Sequence, residues 1–322
     1  MSNNLRKIIC GFLILVFCIA AYVLCESLWE YHKGDKIYES ALNFVAETED
    51  TSEIKEDETI SEDRDEKKKT SLVSVSNVKR THKNIDFTGM QAMNQDVIGW
   101  IQILGTQVDY PLVGADDHQY YLKRTYDHRR SDYGSIFLEP QNNKNLNNRH
   151  LVIYGHNMVN HAMFGSLINY KKQSFADKYD TITICMPGQD LTYRIFSAYT
   201  AEIDSPAYQM EFADDASFEN MILHMKENSM IYSGITPVVG DQILTLSTCT
   251  PAGDKKYRFV VNAVLINGTP DGFEGSKTLN VVETDLTAEP EEILETLENE
   301  EVTLSEVNDF EKNSDSQVPV SD

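Results

Sequence analysis

Apolar and polar positions divide this chain into an anchor, a strand-rich middle and two charged segments. Residues 8–25 form a run of 18 positions without a charge, close to the shortest helix that crosses a bilayer. Arg6 and Lys7 precede the run and Glu26 follows it, so the positive-inside bias predicts residues 1–7 in the cytoplasm and the rest outside. A cleaved secretory signal fits less well, because no small-x-small site follows and Tyr22-Val-Leu extends the apolar core. A lipoprotein signal at Cys25 is weaker still, with Leu24 where a small residue is expected. From residue 26 to 46, Leu28, Ile37, Leu42, Phe44 and Val45 keep a helical rhythm among charges, which predicts a helical stalk. Residues 47–80 are charged and poor in apolar positions, and read as a flexible linker.

Ordered structure is expected over 81–270. Met90, Met93 and Val97 stand at helical spacing, and Trp100-Ile-Gln-Ile then alternates as a strand does. Further strands are predicted at 107–112, 135–138, 151–154, 181–186, 191–200, 242–248 and 257–266. Short strands separated by Gly, Asn and Asp suggest a mainly β fold with a closed or nearly closed sheet. One helix interrupts them at 216–228, where Phe218, Met221, Ile222 and Met225 make an apolar stripe. Residues 271–322 are acidic and poor in aromatic residues, which predicts a disordered tail with a weak helix at 291–300.

Charge narrows the partners. The formal net charge is -23, and a phosphate backbone requires a basic face, so nucleic acid is excluded as a partner. Residues 47–69 hold 11 acidic against 5 basic side chains and 271–322 hold 16 against 2, so more than half of the excess lies outside the predicted core.

Of the five cysteines, Cys10, Cys18 and Cys25 belong to the apolar run. Cys185 lies in Thr-Ile-Thr-Ile-Cys-Met and reads as a buried strand residue. Cys249 ends the run Ile243-Leu-Thr-Leu-Ser-Thr-Cys, with Arg258 nine residues later opening another strand. Upstream, Leu151-Val-Ile-Tyr-Gly-His156 ends a third strand with an imidazole. At pH 7 about 3% of ordinary thiols are ionised and about a quarter of ordinary imidazoles are charged, so roughly 1% of uncoupled pairs would be thiolate and imidazolium together. That minority suffices for attack on a carbonyl and protonation of a leaving amine. A fixed guanidinium lowers the thiol's pKa and donates to an oxyanion, so Cys, His and Arg together suit acyl transfer from an amide. A metal site is disfavoured, because His150, His156 and His161 lack ligand spacing and Cys249 has no nearby Cys or His partner.

Thr245-Leu-Ser-Thr-Cys249, Arg258 in Tyr-Arg-Phe-Val-Val, and Tyr154-Gly-His156-Asn-Met together resemble the sortases, cysteine transpeptidases of Gram-positive cell surfaces. Asn94-Gln-Asp-Val-Ile-Gly-Trp100, Val108-Asp-Tyr-Pro-Leu112, Tyr121-Leu122 and Gly134-Ser-Ile-Phe-Leu138 point to class B. The resemblance implies a closed eight-stranded β-barrel with N-terminal helices and one long helix before the catalytic strand. It implies Cys249 as nucleophile, His156 as general acid and then base, and Arg258 as stabiliser of substrate and oxyanion. Ser247 matches a position that helps hold the sorting peptide, and Tyr208 a tyrosine that lines the same groove. His118 departs from the pattern, falling where some members carry a groove asparagine.

The implied reaction cleaves the Thr–Gly bond of a C-terminal sorting motif and passes the acyl group through a thioacyl enzyme to a peptidoglycan-precursor amine, without a metal or organic cofactor. The implied partners are surface proteins bearing the sorting signal, the wall amine, and the bilayer that residues 8–25 enter. The expected location is the cell membrane, single-pass, with the catalytic domain extracellular. Three alternatives stand beside this reading: a pilin-polymerising sortase, a generic cysteine peptidase, and a membrane-tethered binding module whose acidic arms recruit a cation-rich partner.

Overall fold

The structure is a computed structural model and describes residues 3–46, 84–251, 254–273 and 275. The linker expected at 47–80 and nearly all of the acidic tail, including its weak helix, lie outside the described residues.

Helix α1 (Asn3–Ala41) runs without interruption from the apolar segment to the folded core. Phe12, Leu13, Ile14, Leu15, Val16 and Phe17 are exposed on it, and the helix is long and apolar enough to cross a membrane. Its last two turns behave differently, with Ile37, Tyr38 and Ala41 buried in the main core. The stretch expected as a stalk therefore ends packed on the rest of the protein. Two-residue strands β1 (Val45–Ala46) and β2 (Asn84–Ile85) pair antiparallel, Val45 opposite Ile85, and so bring residues 46 and 84 side by side.

Helix α2 (Phe87–Met93) starts at Asp86, whose carboxylate accepts the Gly89 amide at 2.9 Å. It stops at Asn94, so Val97, which stands at helical spacing from Met93, opens a strand instead. Asn94 is buried, and its side-chain amide donates to the Tyr121 hydroxyl and the Tyr126 carbonyl while its oxygen accepts from Asp96 N. These tertiary bonds outcompete continuation of the helix.

Strands β3 (Val97–Gln102), β4 (Asp109–Gly114), β5 (Ile136–Leu138), β6 (His150–Tyr154), β7 (Thr181–Met186), β8 (Gln189–Glu202), β9 (Ile243–Cys249) and β10 (Tyr257–Asn267) form the expected closed eight-stranded barrel. Their order around it is β10-β8-β7-β3-β4-β5-β6-β9. Neighbours are antiparallel except β4 with β5 and β6 with β9. The interior is filled by Ile101, Leu112, Ile153, Ile184, Leu246 and Phe259, among others, all inaccessible to solvent. Closure leaves no free sheet edge, which is how a chain of short strands avoids edge pairing. Cys185 is buried in β7 opposite Trp100, in keeping with its strand context.

Between β7's approach and the last two strands lie a four-residue helix α3 (Gln173–Ala176) and the longer α4 (Asp215–Glu227). Asp214 and Ser217 cap α4 reciprocally. Its stripe of Phe218, Met221, Ile222 and Met225 is buried against Phe196, Tyr199, Val260 and Val264 of β8 and β10. The helix therefore precedes the strand that carries Cys249, as expected.

At the start of β6, His150 is buried, with Nδ1 donating to the Gln209 carbonyl at 2.7 Å and Nε2 2.8 Å from the Thr245 hydroxyl. Burial pushes its pKa down to about 4, against the smaller opposing effect of the Gln209 bond. The unfolded imidazole takes up a proton near its ordinary value, so acid favours the unfolded chain. This contribution to stability is complete above about pH 6.5 and is lost progressively as pH falls to about 4, by about 3 kcal/mol. Urea unfolding at pH 7 and pH 4.5 checks it: His150→Gln is expected to lose less stability between the two than the parent protein does.

Candidate active site

Parallel pairing of β6 and β9 brings the two candidate chemical groups to one end of the barrel. Tyr154 is in register with Ser247, so His156 and Cys249 each lie two residues beyond a matched pair. The pairing continues past the strands: Gly155 N donates to Ser247 O at 3.2 Å and Thr248 Oγ1 to Gly155 O at 2.8 Å. Asn157 Nδ2 then donates to the Cys249 carbonyl at 2.8 Å, tying the loop after His156 to the strand end. On the other side of β9, antiparallel pairing sets Arg258 of β10 directly opposite Cys249. Cys249 is half-buried while Ser247 and Thr248 behind it are buried, so the thiol stands at the rim of a rigid strand.

His156 Nε2 lies 2.7 Å from the Leu122 carbonyl. A carbonyl only accepts, so Nε2 carries the hydrogen and Nδ1 is left to exchange a proton with a reacting group. Its own carbonyl accepts from Phe164 N at 2.9 Å, which fixes the loop at the opposite side. Arg258 Nη1 donates to the carbonyls of Asp254, Lys255 and Tyr257, at 3.3, 3.1 and 2.8 Å. The turn between β9 and β10 thus fixes one guanidinium nitrogen. Among the described residues no acceptor engages the others, which leaves them for a substrate oxygen.

Tyr208 and Ser247 form the neighbouring wall. The Tyr208 hydroxyl and Ser247 Oγ are 2.8 Å apart. Burial pushes the Tyr208 phenol up to about 12, partly offset by the Ser247 bond and the Arg258 charge, and reinforced by Cys249. The Tyr154 ring is parallel to that of Tyr208, with centroids 6.5 Å apart, and its phenol is likewise raised by burial and lowered by Arg258. One electrostatic environment therefore joins Cys249, Arg258, Ser247, Tyr208 and Tyr154.

All five residues singled out from the sequence meet at this end. Two further groups were not foreseen. The Leu122 carbonyl has no sequence signature, because every residue carries one. Glu139, just beyond β5, is buried and accepts from both His118 Nε2 and Tyr154 OH at 2.8 Å on the same oxygen. A carboxylate directly abutting the apolar run Ile136-Phe-Leu was the available signal. His118, noted as a departure, packs its ring edge-on to Tyr154 with centroids 5.9 Å apart.

The sortase domain family matches residues 101–266, more than half of the chain. This chain belongs to the sortase family. Sortase B of Listeria monocytogenes is 31% identical over 178 residues, covering 55% of this chain and 72% of that protein. Sortase B of Staphylococcus aureus is 32% identical over 187 residues, covering 58% and 76%. Among solved structures, the Staphylococcus aureus sortase B–substrate complex superposes with a TM-score of 0.53 at 31% identity, over 57% of this chain and 85% of that one. A Bacillus anthracis sortase B superposes with a TM-score of 0.59 at 27% identity, over 75% and 100%. These relatives make this protein a class B sortase, a cysteine transpeptidase.

Proposed function

We propose that this sortase cleaves the Thr–Gly bond of a C-terminal sorting motif on a surface protein and transfers the acyl group to a cell-wall peptide amine. Cys249 is the nucleophile, His156 the acid and then the base, and Arg258 the oxyanion and substrate stabiliser; Ser247 and Tyr208 hold the sorting peptide. The observation that carries the reading is the register of β6, β9 and β10, which sets all three reactive groups at one barrel end. The existence of a substrate complex of Staphylococcus aureus sortase B supports substrate binding by this fold.

Thiolate Sγ bonds to the Thr carbonyl carbon, and the resulting oxyanion is met by Arg258 N–H groups. Collapse breaks the carbon–nitrogen bond to Gly, whose nitrogen keeps the electron pair and takes the proton from His156 Nδ1. The acceptor amine attacks the thioester, passes a proton back to His156, and Sγ leaves as thiolate. His156 is thereby returned to the protonated state in which the next cycle begins.

Residues 8–25 would hold the enzyme in the membrane, with the N-terminus cytoplasmic and the barrel outside, so that a substrate tethered in the same bilayer is met at raised effective concentration. The test is product analysis. The full chain is incubated with a Thr-Gly sorting peptide and a wall-type peptide amine, and the products are weighed by mass spectrometry. The expected product joins the Thr carbonyl to the amine. Cleavage at another bond, or hydrolysis alone at saturating amine, would contradict the assignment.

A further inference from the structure

Helix α1 reaches the active site from behind. The Tyr38 side chain is buried among the rings of Tyr110, Tyr126 and Tyr133, with centroids 5.1, 5.9 and 6.3 Å away, and its hydroxyl donates to the Gly134 carbonyl. Gly134 has a φ of +56°, a conformation that side-chain-bearing residues rarely adopt. A Cβ there would stand 2.7 Å from Tyr121 O, 2.8 Å from Leu122 O and 2.9 Å from His156 Cδ2. Gly134 is thus wedged against both the imidazole and the carbonyl that accepts its Nε2 hydrogen. It cannot shift without disturbing one of them.

A second tie runs beside the first. Tyr133 OH donates to Asp35 of α1 at 2.6 Å and accepts from Asn160 Nδ2, in the loop that follows His156, at 2.5 Å. Two consecutive residues, Tyr133 and Gly134, are therefore held by α1 on one side and touch the histidine's surroundings on the other.

We propose that Tyr38 is a positioning residue for His156: by fixing Gly134, it holds the Leu122 carbonyl and the imidazole in the arrangement that leaves Nδ1 facing the reaction. The helix that carries the apolar N-terminal run is then also the back wall of the active site. This inference rests on the reading of His156 as the acid and base.

Charge around the imidazole does not supply the same control. Of the titratable groups near it, Asp132 in the segment before Gly134 feels the imidazole's charge, Cys249 ends the strand paired with β6, and Asp35 of α1 is engaged by Tyr133. The Asp132 carboxyl is held below its ordinary range mainly by its 2.7 Å bond to Lys123, with the Lys123 and His156 charges adding to that. Hydrogen-bond geometry at Nε2 remains as the part that α1 governs.

Tyr38→Phe keeps the ring and removes only the donor. In the full chain, kcat for a Thr-Gly peptide is expected to fall about 10-fold with KM unchanged. The acid limb of the pH profile of kcat/KM should move to lower pH by up to about one unit and the plateau should fall with it, because a poorly aligned Leu122 carbonyl stabilises the imidazolium less and, with thiolate and imidazolium as the minority pair, the lower limb follows the imidazole. Tyr126→Phe is the control. It removes a different hydroxyl contact at the α1 interface, the bond between Tyr126 and Ser40, which does not touch Gly134. It should lower the unfolding midpoint without moving kcat or the pH profile. A Tyr38→Phe protein that is less stable but keeps the parent's kcat and profile overturns the inference, as do equal kinetic changes in both variants. Full activity in His156→Ala would overturn the underlying reading of His156 instead.

Discussion

Replacing Cys249 by alanine is expected to leave the barrel folded and to abolish cleavage of a Thr-Gly sorting peptide. The thiol is half-buried at the last position of β9, and its strand is held by partners on both sides, so removing one sulfur leaves the pairing with Arg258 and Tyr154's strand intact. No other cysteine is placed to substitute. Cys185 lies buried in β7, a strand separated from β9 by β8 and β10, and Cys10, Cys18 and Cys25 lie on the apolar part of α1. Circular dichroism should match the parent protein while turnover, followed by release of the Gly-containing fragment, falls to background. Retained turnover would mean that a different nucleophile acts.

Arg258→Ala is expected to reduce kcat/KM by about 100- to 1,000-fold, the range seen when one preorganised oxyanion donor is removed. Arg258→Lys should recover little of this loss. The β9–β10 turn engages one guanidinium nitrogen through carbonyls of Asp254, Lys255 and Tyr257 and leaves the rest of the planar fork, on the residue opposite Cys249, without an acceptor among the described residues. A lysine ammonium is one point and cannot satisfy the turn and the substrate together. Steady-state kinetics on the three proteins decide this, and a lysine variant with parental kcat/KM would reduce Arg258 to a source of positive charge.

Much of this arrangement is legible in the amino-acid sequence, for a physical reason. The strands β6, β9 and β10 alternate or run apolar over five or more residues, and each of the proposed reactive groups sits at an end of such a run, Cys249 and His156 where one stops and Arg258 where one starts. Helix α4 is equally plain, since its stripe Phe218, Met221, Ile222 and Met225 has only one face to bury. The alignment of β6 with β9 was not readable, because register across 93 residues is set by barrel closure and not by either strand alone.

Other features depend on contacts that no local pattern encodes. Val97 continues the spacing of Met90 and Met93, yet Asn94 ends the helix through bonds to Tyr121 and Tyr126, far along the chain. Ile37 reads as part of a helical stalk, and only the fold supplies the tertiary surface that buries it together with Tyr38 and Ala41, Tyr38 among the rings of Tyr110, Tyr126 and Tyr133. Glu139 looks like a solvated end of a strand until His118 and Tyr154 are seen to share its carboxylate.

The central claim is that sulfur, imidazole and guanidinium act on the same peptide carbonyl, and the rate of acylation measures it directly. The parent protein, His156→Ala and Arg258→Ala are each mixed with a Thr-Gly peptide in the absence of an amine, quenched at intervals and weighed intact. The account predicts that the parent gains the mass of the acyl fragment on Cys249 and that both variants do so at least about 100-fold more slowly. Acylation of either variant at the parent's rate, or an adduct on any residue other than Cys249, would contradict it.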